Sequence, residues 1–338
     1  MNRRRLLLRL VLAQESALLG GQAVLEGVMM RSPKAFAVAV RRPDGTVAML
    51  SETIPSWTVR FPWLKVPVLR GAAVLIQSLA LGIRALNFST ENAFPEEATA
   101  EPVDTTDDPV AAESASAART AAKKTGGIDW QIWGSLALAM VMGIGLFFLL
   151  PLALTQGLHL LWPALGNGVR FNLVEGLIRV AIFLGYMLLI GLMPDIKRLF
   201  RYHGAEHKVV HAYEAKRGMD VATVQSFTTF HPRCGTSFLL IVMLVSVGVF
   251  SLIPGAWPLW AKAASRLVLV PFIAGLSYEV IRFTAKHMKS GWALAVAAPG
   301  MWLQRITTAP PDDAMIEVAL AAFDRACEIE GNPNTVVL

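Results

Sequence analysis

The sequence predicts a mainly α-helical membrane protein: a four-helix transmembrane bundle with a small N-terminal α+β cytoplasmic region and a C-terminal amphipathic helix. Three observations carry this. Of 338 residues, 54% are hydrophobic and only 17% charged, whereas soluble chains sit nearer a quarter charged. Four apolar runs, 131–157, 171–193, 237–257 and 265–285, reach the roughly 20 residues that a helix needs to cross a ~30 Å hydrocarbon layer. The basic residues, finally, gather in alternate connections between those runs.

Taken in order, residues 1–18 open "MNRRRLLLRLVLAQ". Arg9 interrupts the apolar stretch, so an amphipathic surface segment is expected rather than a signal peptide. The region 19–94 contains two β-prone runs around Pro43-Asp44-Gly45, a hairpin signal. It then contains 68–86, whose uncharged part between Arg70 and Arg84 includes Gln77 and Ser78. That part is short for a span and predicts a helix lying at the interface. Residues 95–127 are Ala, Thr, Pro and acidic residues, which bury too little surface to offset ordering entropy, so a disordered acidic linker is expected.

Residues 128–310 form the four-span domain, with a cytoplasmic His-rich loop at 194–236. Lys197, Arg198, Arg201, Lys208, Lys216, Arg217 and Arg233 crowd that loop, whereas the connections on the other side carry only Arg170, Lys262 and Arg266. Four spans with both termini cytoplasmic, in the cell membrane, satisfy the positive-inside bias. In 311–338 the apolar residues Met315, Ile316, Val318, Ala319, Ala322 and Phe323 recur at helical spacing.

The net charge of +6 comes without a basic-aromatic recognition pattern, so nucleic acid is not an expected partner. Membrane lipids are, with membrane proteins or peptides as further candidates. Cys234 and Cys327 are far apart and suggest reduced thiols rather than a disulfide framework.

The chemistry concentrates in "RYHGAEHKVVHAYEAKRG", 201–218, where His203, His207 and His211 fall at a spacing of four among Glu206 and Glu214. On a helix these positions share one stripe, and an i, i+4 pair can chelate a single ion. His203 and His211 would be ~12 Å apart along the axis, so one ion takes either His203 with His207 or His207 with His211. "HGAEH" is H-x-x-E-H, the inverse of the zinc-hydrolase order, in which two histidines bind metal and the glutamate is a general base. The bland alternative is an amphipathic helix with its histidines at headgroup level.

In "FHPRCGTSF", 230–238, His231 and Cys234 stand three apart and could complete a tetrahedral site. Cys234 could instead be a nucleophile at a helix N-terminus, or a small buried residue in a turn. Glu279 lies inside the fourth span, ~9 Å from its end at Ala285, and needs a partner there. Arg282 and the metal are the two candidates. Glu175 and Arg179 are spaced to neutralise each other within the second span. "GGQAVLEGVMMRSP" lacks the Walker spacing and reads as a tight backbone feature.

The segments "GGQAVLEGVMMRSP", "RALNFSTEN", "YHGAEHKVVHAYE", "HPRCGTSFLL", "RLVLVPFIAGLSYEVIRF" and "PGMWLQRITTAPPDD", in this order, resemble the YqhQ-type family. These are bacterial membrane proteins of unknown function described as predicted metal-dependent enzymes. The resemblance extends over nearly the whole chain apart from the first 18 residues, the acidic linker and the final few residues. It implies a metal-dependent enzyme without implying a reaction.

The functional expectation is an integral membrane metal-dependent hydrolase acting on a membrane-associated peptide or lipid at the cytoplasmic face. Glu206 is its candidate catalytic base. His203, His207, His211, His231, Cys234 and Glu279 are candidate ligands of a divalent metal, zinc best fitting the His/Cys donors. The rival expectation is a non-catalytic scaffold or assembly factor whose structural metal is closed by four protein ligands. A transporter fits less well, because the spans lack several polar groups at matched depth.

Overall fold

The computed structural model describes residues 20–54, 61–94, 130–166, 168–232, 234–254, 257–287 and 290–330. The expected amphipathic start at 1–18 and the linker 95–127 lie outside the described residues.

The N-terminal region is an antiparallel sheet of four strands in sequence order: β1 (Gly20–Val24), β2 (Gly27–Arg31), β3 (Ala35–Arg41) and β4 (Val47–Thr53). The hairpin read from Pro43-Asp44-Gly45 is β3–β4, with Gly45 at φ +85° and Asp44 accepting the Thr46 N–H at 2.8 Å. Two strands precede it that the sequence reading did not contain. Their turn uses Glu26 at φ +52°, a conformation normally given to glycine, and so hides the usual signal. A Cβ on Gly27 would lie 2.2 Å from the Ala39 carbonyl, so glycine is what lets β2 and β3 close up.

The helices are α1 (Leu69–Ala93), α2 (Trp130–Ile144), α3 (Leu150–Leu161), α4 (Val169–Ile190), α5 (Pro194–Glu214), α6 (Val221–Gln225), α7 (Gly235–Ser251), α8 (Leu259–Val268), α9 (Val270–Lys286), α10 (Gly291–Thr307) and α11 (Asp313–Glu330). A π-helical turn, Gly145–Leu149, joins α2 to α3. β3 is buried on both faces. One face packs with α5 and α11, through Ala37, Ala39, Val209, Ile316 and Phe323. The other packs with α1, through Val38, Val40, Leu81 and Ala85. The expected C-terminal amphipathic helix is therefore the cover of the sheet: Met315, Ile316, Val318, Ala319, Ala322 and Phe323 are all buried.

Among the described residues three helical stretches are long and apolar enough to cross a membrane: Leu69–Ala93, Ala137–Leu161 and Val169–Ile190. A fourth follows if α8 and α9, bent by 48°, count as one. Pro271, in the first turn of α9, explains the bend, because proline cannot extend the hydrogen-bond ladder of a helix running into it. The helix expected at 68–86 runs longer, Leu69–Ala93, and is apolar enough to count among these candidate spans. Three corrections to the sequence reading follow. The run at 237–257 becomes a helix of 17 residues, Gly235–Ser251. The "loop" 194–236 is mostly α5 and α6, and α10 had not been read as a helix at all.

Inside the bundle the Glu175 carboxylate accepts hydrogen bonds from both Arg179 and Arg266, and Arg266 also donates to Asn172 at 2.9 Å. The Phe250 ring sits 4.9 Å from one guanidinium and 4.5 Å from the other. The i, i+4 pair read from the sequence is thus part of a three-charge lock that ties α4, α7 and α8 together.

Candidate metal centre

The site is built on α5, which begins with Pro194 at its first turn, where the missing N–H is not needed. Gly204 lies in its middle, and a Cβ there would come 2.1 Å from the Ala309 carbonyl oxygen. Glycine lets the chain after α10 cross directly over the helix, where the Ala309 N–H donates to the Phe200 carbonyl at 2.9 Å. That crossing brings the end of α10 against His203.

His203 and His207 are both oriented by backbone carbonyls. His203 Nδ1 donates to the Thr307 carbonyl at 2.8 Å, and His207 Nδ1 donates to that of Thr229. A carbonyl only accepts, so each ring carries its proton on Nδ1 and presents a lone pair at Nε2. His203 Nε2 meets Cys234 Sγ at 3.2 Å. His207 Nε2 is buried without a hydrogen-bond partner among the described residues; Glu206 Oε2 approaches to 3.5 Å. Cys234 caps α7, its sulfur accepting the Thr236 N–H at 3.4 Å.

One donor atom from each of His203, His207 and Cys234 falls within 4.8 Å of the others. A tetrahedral ion with bonds of ~2.0–2.3 Å spaces its donors ~3.3–3.7 Å apart, so the widest pair closes by about 1 Å to hold one. The donor chemistry also fits: two imidazoles held by outer hydrogen bonds, plus one thiol. Burial pushes the His207 pKa below that of an ordinary histidine, with interactions from Cys234 opposing it, which keeps the imidazole in its ligating form. Burial raises Glu206, against the pull of His203, His231 and the Gly21 N–H.

The glycine-rich motif belongs to this site. A Cβ on Gly21 would lie 2.5 Å from Glu206 Cγ, so β1 presses directly on the carboxylate. Glu26 of the same motif binds Arg198, and Arg31 donates to Gln77 and Ser78 of α1. Its tight backbone is a docking surface for α1 and α5.

The other candidates divide. His211 and His231 continue the row of rings, with centroids 5.7 Å apart for His207 and His231 and 4.7 Å for His231 and His211. They have other commitments: His211 Nε2 donates to the Phe230 carbonyl at 2.6 Å, and His231 Nε2 lies 3.5 Å from Glu214. Gln304, which the sequence did not single out, clamps the His231 backbone with two 2.7 Å bonds. Glu279 is elsewhere. Arg70 Nη2 donates to both of its oxygens, at 2.9 and 2.7 Å, so its partner is neither Arg282 nor the metal cluster. Thr229 and Thr307 act through backbone carbonyls, which leave no trace in side-chain patterns.

A family profile described as "Protein of unknown function (DUF1385)" matches residues 66–329. The uncharacterized protein YqhQ of Bacillus subtilis (strain 168) is 33% identical over 318 residues, covering 92% of each chain. No solved structure matches. The match takes in α1, every helix of the bundle and the whole histidine cluster, and the chain belongs to this DUF1385 family.

Proposed function

We propose that the protein is an integral membrane metal-dependent hydrolase whose zinc is held by His203, His207 and Cys234 at the cytoplasmic mouth of the helix bundle. One observation carries the reading: among the described residues His207 Nε2 is buried with no hydrogen-bond partner, and it stands beside His203 Nε2 and Cys234 Sγ. An orphaned buried acceptor costs ~1–3 kcal/mol, and a cation removes that cost. The membrane assignment is supported by the apolar helices α2–α4, by the bent α8–α9 pair and by basic residues clustering in α5.

Zinc bound there would supply Lewis acidity toward a carbonyl or phosphoryl oxygen. Glu206, buried beside the cluster, takes a proton from the attacking water and returns it to the leaving group, so that water adds across the cleaved bond. The cluster sits where α7 begins and α10 ends, which favours a substrate already at the membrane, a peptide or a lipid.

A second reading has its own support. Glu206 Oε2, 3.5 Å from His207 Nε2, is near enough to become a fourth ligand, which would close the site and make the metal structural in a scaffold protein. X-ray absorption on the zinc-loaded protein distinguishes the two. The hydrolase reading expects one sulfur, two imidazoles and an oxygen donor that a hydroxamate replaces. An oxygen donor that resists hydroxamate and vanishes in Glu206→Gln favours the scaffold. Absence of bound zinc rejects both.

A further inference from the structure

The chain leaves the sheet after β4 and returns to it along α1. Ile54, just past β4, lies in one buried cluster with Leu81 and Ala85 of α1. The last turns of α1 are tied to the same sheet region: Ser89 donates to the Leu25 carbonyl at 2.9 Å, and Arg42 to Asn92 at 3.0 Å. Leu69, at the other end, is roughly 18 Å of helix away from Leu81.

That other end packs on α9 instead. A Cβ on Gly275 would lie 2.4 Å from the Val68 carbonyl, and one on Gly71 would lie 2.8 Å from the Gly275 carbonyl and 2.9 Å from Tyr278 Cβ. Ile54 and the C-terminal half of α1 both stand on the sheet, whereas Val68 and Gly71 lie against α9. A helix so attached does not cross a membrane, although its length and composition would allow it.

The described side chains of the turn are apolar and mostly exposed. Phe61, Trp63, Val66 and Leu69 expose 42%, 61%, 53% and 46% of their surface. Exposed apolar residues this dense need an occupant. Phe272 of α9 and Leu188 of α4 are exposed in the same way, so the patch continues the outward surface of the apolar helices. Gly275 stands roughly 16 Å along α9 from Lys286. With Lys286 at the headgroups, Val68 and Gly71 lie within the hydrocarbon layer. The charges at this level are paired, Arg70 to Glu279 through both carboxylate oxygens, as a charge in that layer requires. The sequence places a single charge, Lys65, between Phe61 and Leu69, and the cost of a charge in hydrocarbon limits the depth to one leaflet.

We propose that Phe61–Leu69 is a re-entrant tip that enters the cytoplasmic leaflet beside α9, among lipid acyl chains, and returns to the side it came from. The proposal rests on the α8–α9 pair being a membrane span, as read above, and its test separates the two. Single nitroxide labels at Trp63→Cys, Leu188→Cys and Asp44→Cys are placed in protein reconstituted in phosphatidylethanolamine/phosphatidylglycerol nanodiscs. Cys234 and Cys327, both buried, are first replaced by serine, so that only the new cysteine takes the label. Collisions with oxygen and with a water-soluble nickel chelate are then measured by power saturation. The expected result is loss of nickel collisions at Trp63 relative to Asp44, with oxygen access matching Leu188. Nickel access at Trp63 equal to that at Asp44 overturns the tip, leaving it in water. Protection from both reagents overturns it too, because a second copy or another protein then covers it. Nickel access at Leu188 removes the membrane reading itself, and the tip falls with it. Val66→Cys repeats the measurement should Trp63→Cys disturb the turn.

Discussion

His203 and Cys234, 31 residues apart in the chain, meet with Nε2 3.2 Å from Sγ. The contact joins the middle of α5 to the first turn of α7 and gives the two cysteines opposite characters. Cys234 faces two imidazoles. Cys327 is packed between α11 and the sheet, where burial, with the nearby carboxylates Asp324 and Glu330, pushes its thiol up to about 12.

Zinc should therefore protect one thiol and leave the other indifferent. Alkylation by iodoacetamide, followed by peptide mass spectrometry, is expected to modify Cys234 in chelator-treated protein and to spare it once zinc is restored. Cys327 stays unmodified in both, since the reactive thiolate is nearly absent. Equal modification of Cys234 with and without zinc contradicts ligation.

Gly204→Ala and Gly185→Ala place the same methyl group in two helices with different outcomes. At Gly204 it meets the Ala309 carbonyl at 2.1 Å, whereas at Gly185 nothing lies within 4 Å. The first should lose on the order of 1–3 kcal/mol from overpacking and weaken zinc binding, because His203 is held through the same crossing. The second should be neutral or gain up to about 1 kcal/mol from helix propensity. Thermal melts in detergent compare them.

The cluster was legible in the sequence because it is local: H-x-x-E-H on one helix stripe names His203, Glu206 and His207 without tertiary information. Cys234 was also reachable, since its turn leads straight into an apolar helix. What selects among the six candidate ligands is not local. The carbonyls of Thr229 and Thr307 fix the histidine tautomers, and no side-chain pattern encodes a carbonyl. Glu279 was misread because its partner, Arg70, is 209 residues away, while Arg282 lay one turn off. Gly204 read as a weakness of the helix, yet it permits the crossing that builds the site. The sheet was half legible: Asp44-Gly45 announces its turn, whereas the β1–β2 turn strains Glu26 instead of using glycine.

Glu175→Gln tests the charge lock. Neutralising it leaves Arg179 and Arg266 buried in the bundle without a counter-charge, a loss of roughly 3–5 kcal/mol for a broken buried pair. The variant should melt well below the parent protein, and Glu279→Gln, in a partly exposed pair, should fall by much less. Equal losses would show that the Glu175 cluster carries no special weight.

The central claim is that His203, His207 and Cys234 hold one metal ion, and elemental analysis of the detergent-purified full chain tests it most directly. The parent protein and His211→Ala are expected to carry one zinc per chain, and the His203→Ala/His207→Ala double variant none, with all three eluting as the same folded species. Undiminished zinc in the double variant, or loss of zinc in His211→Ala alone, would contradict it.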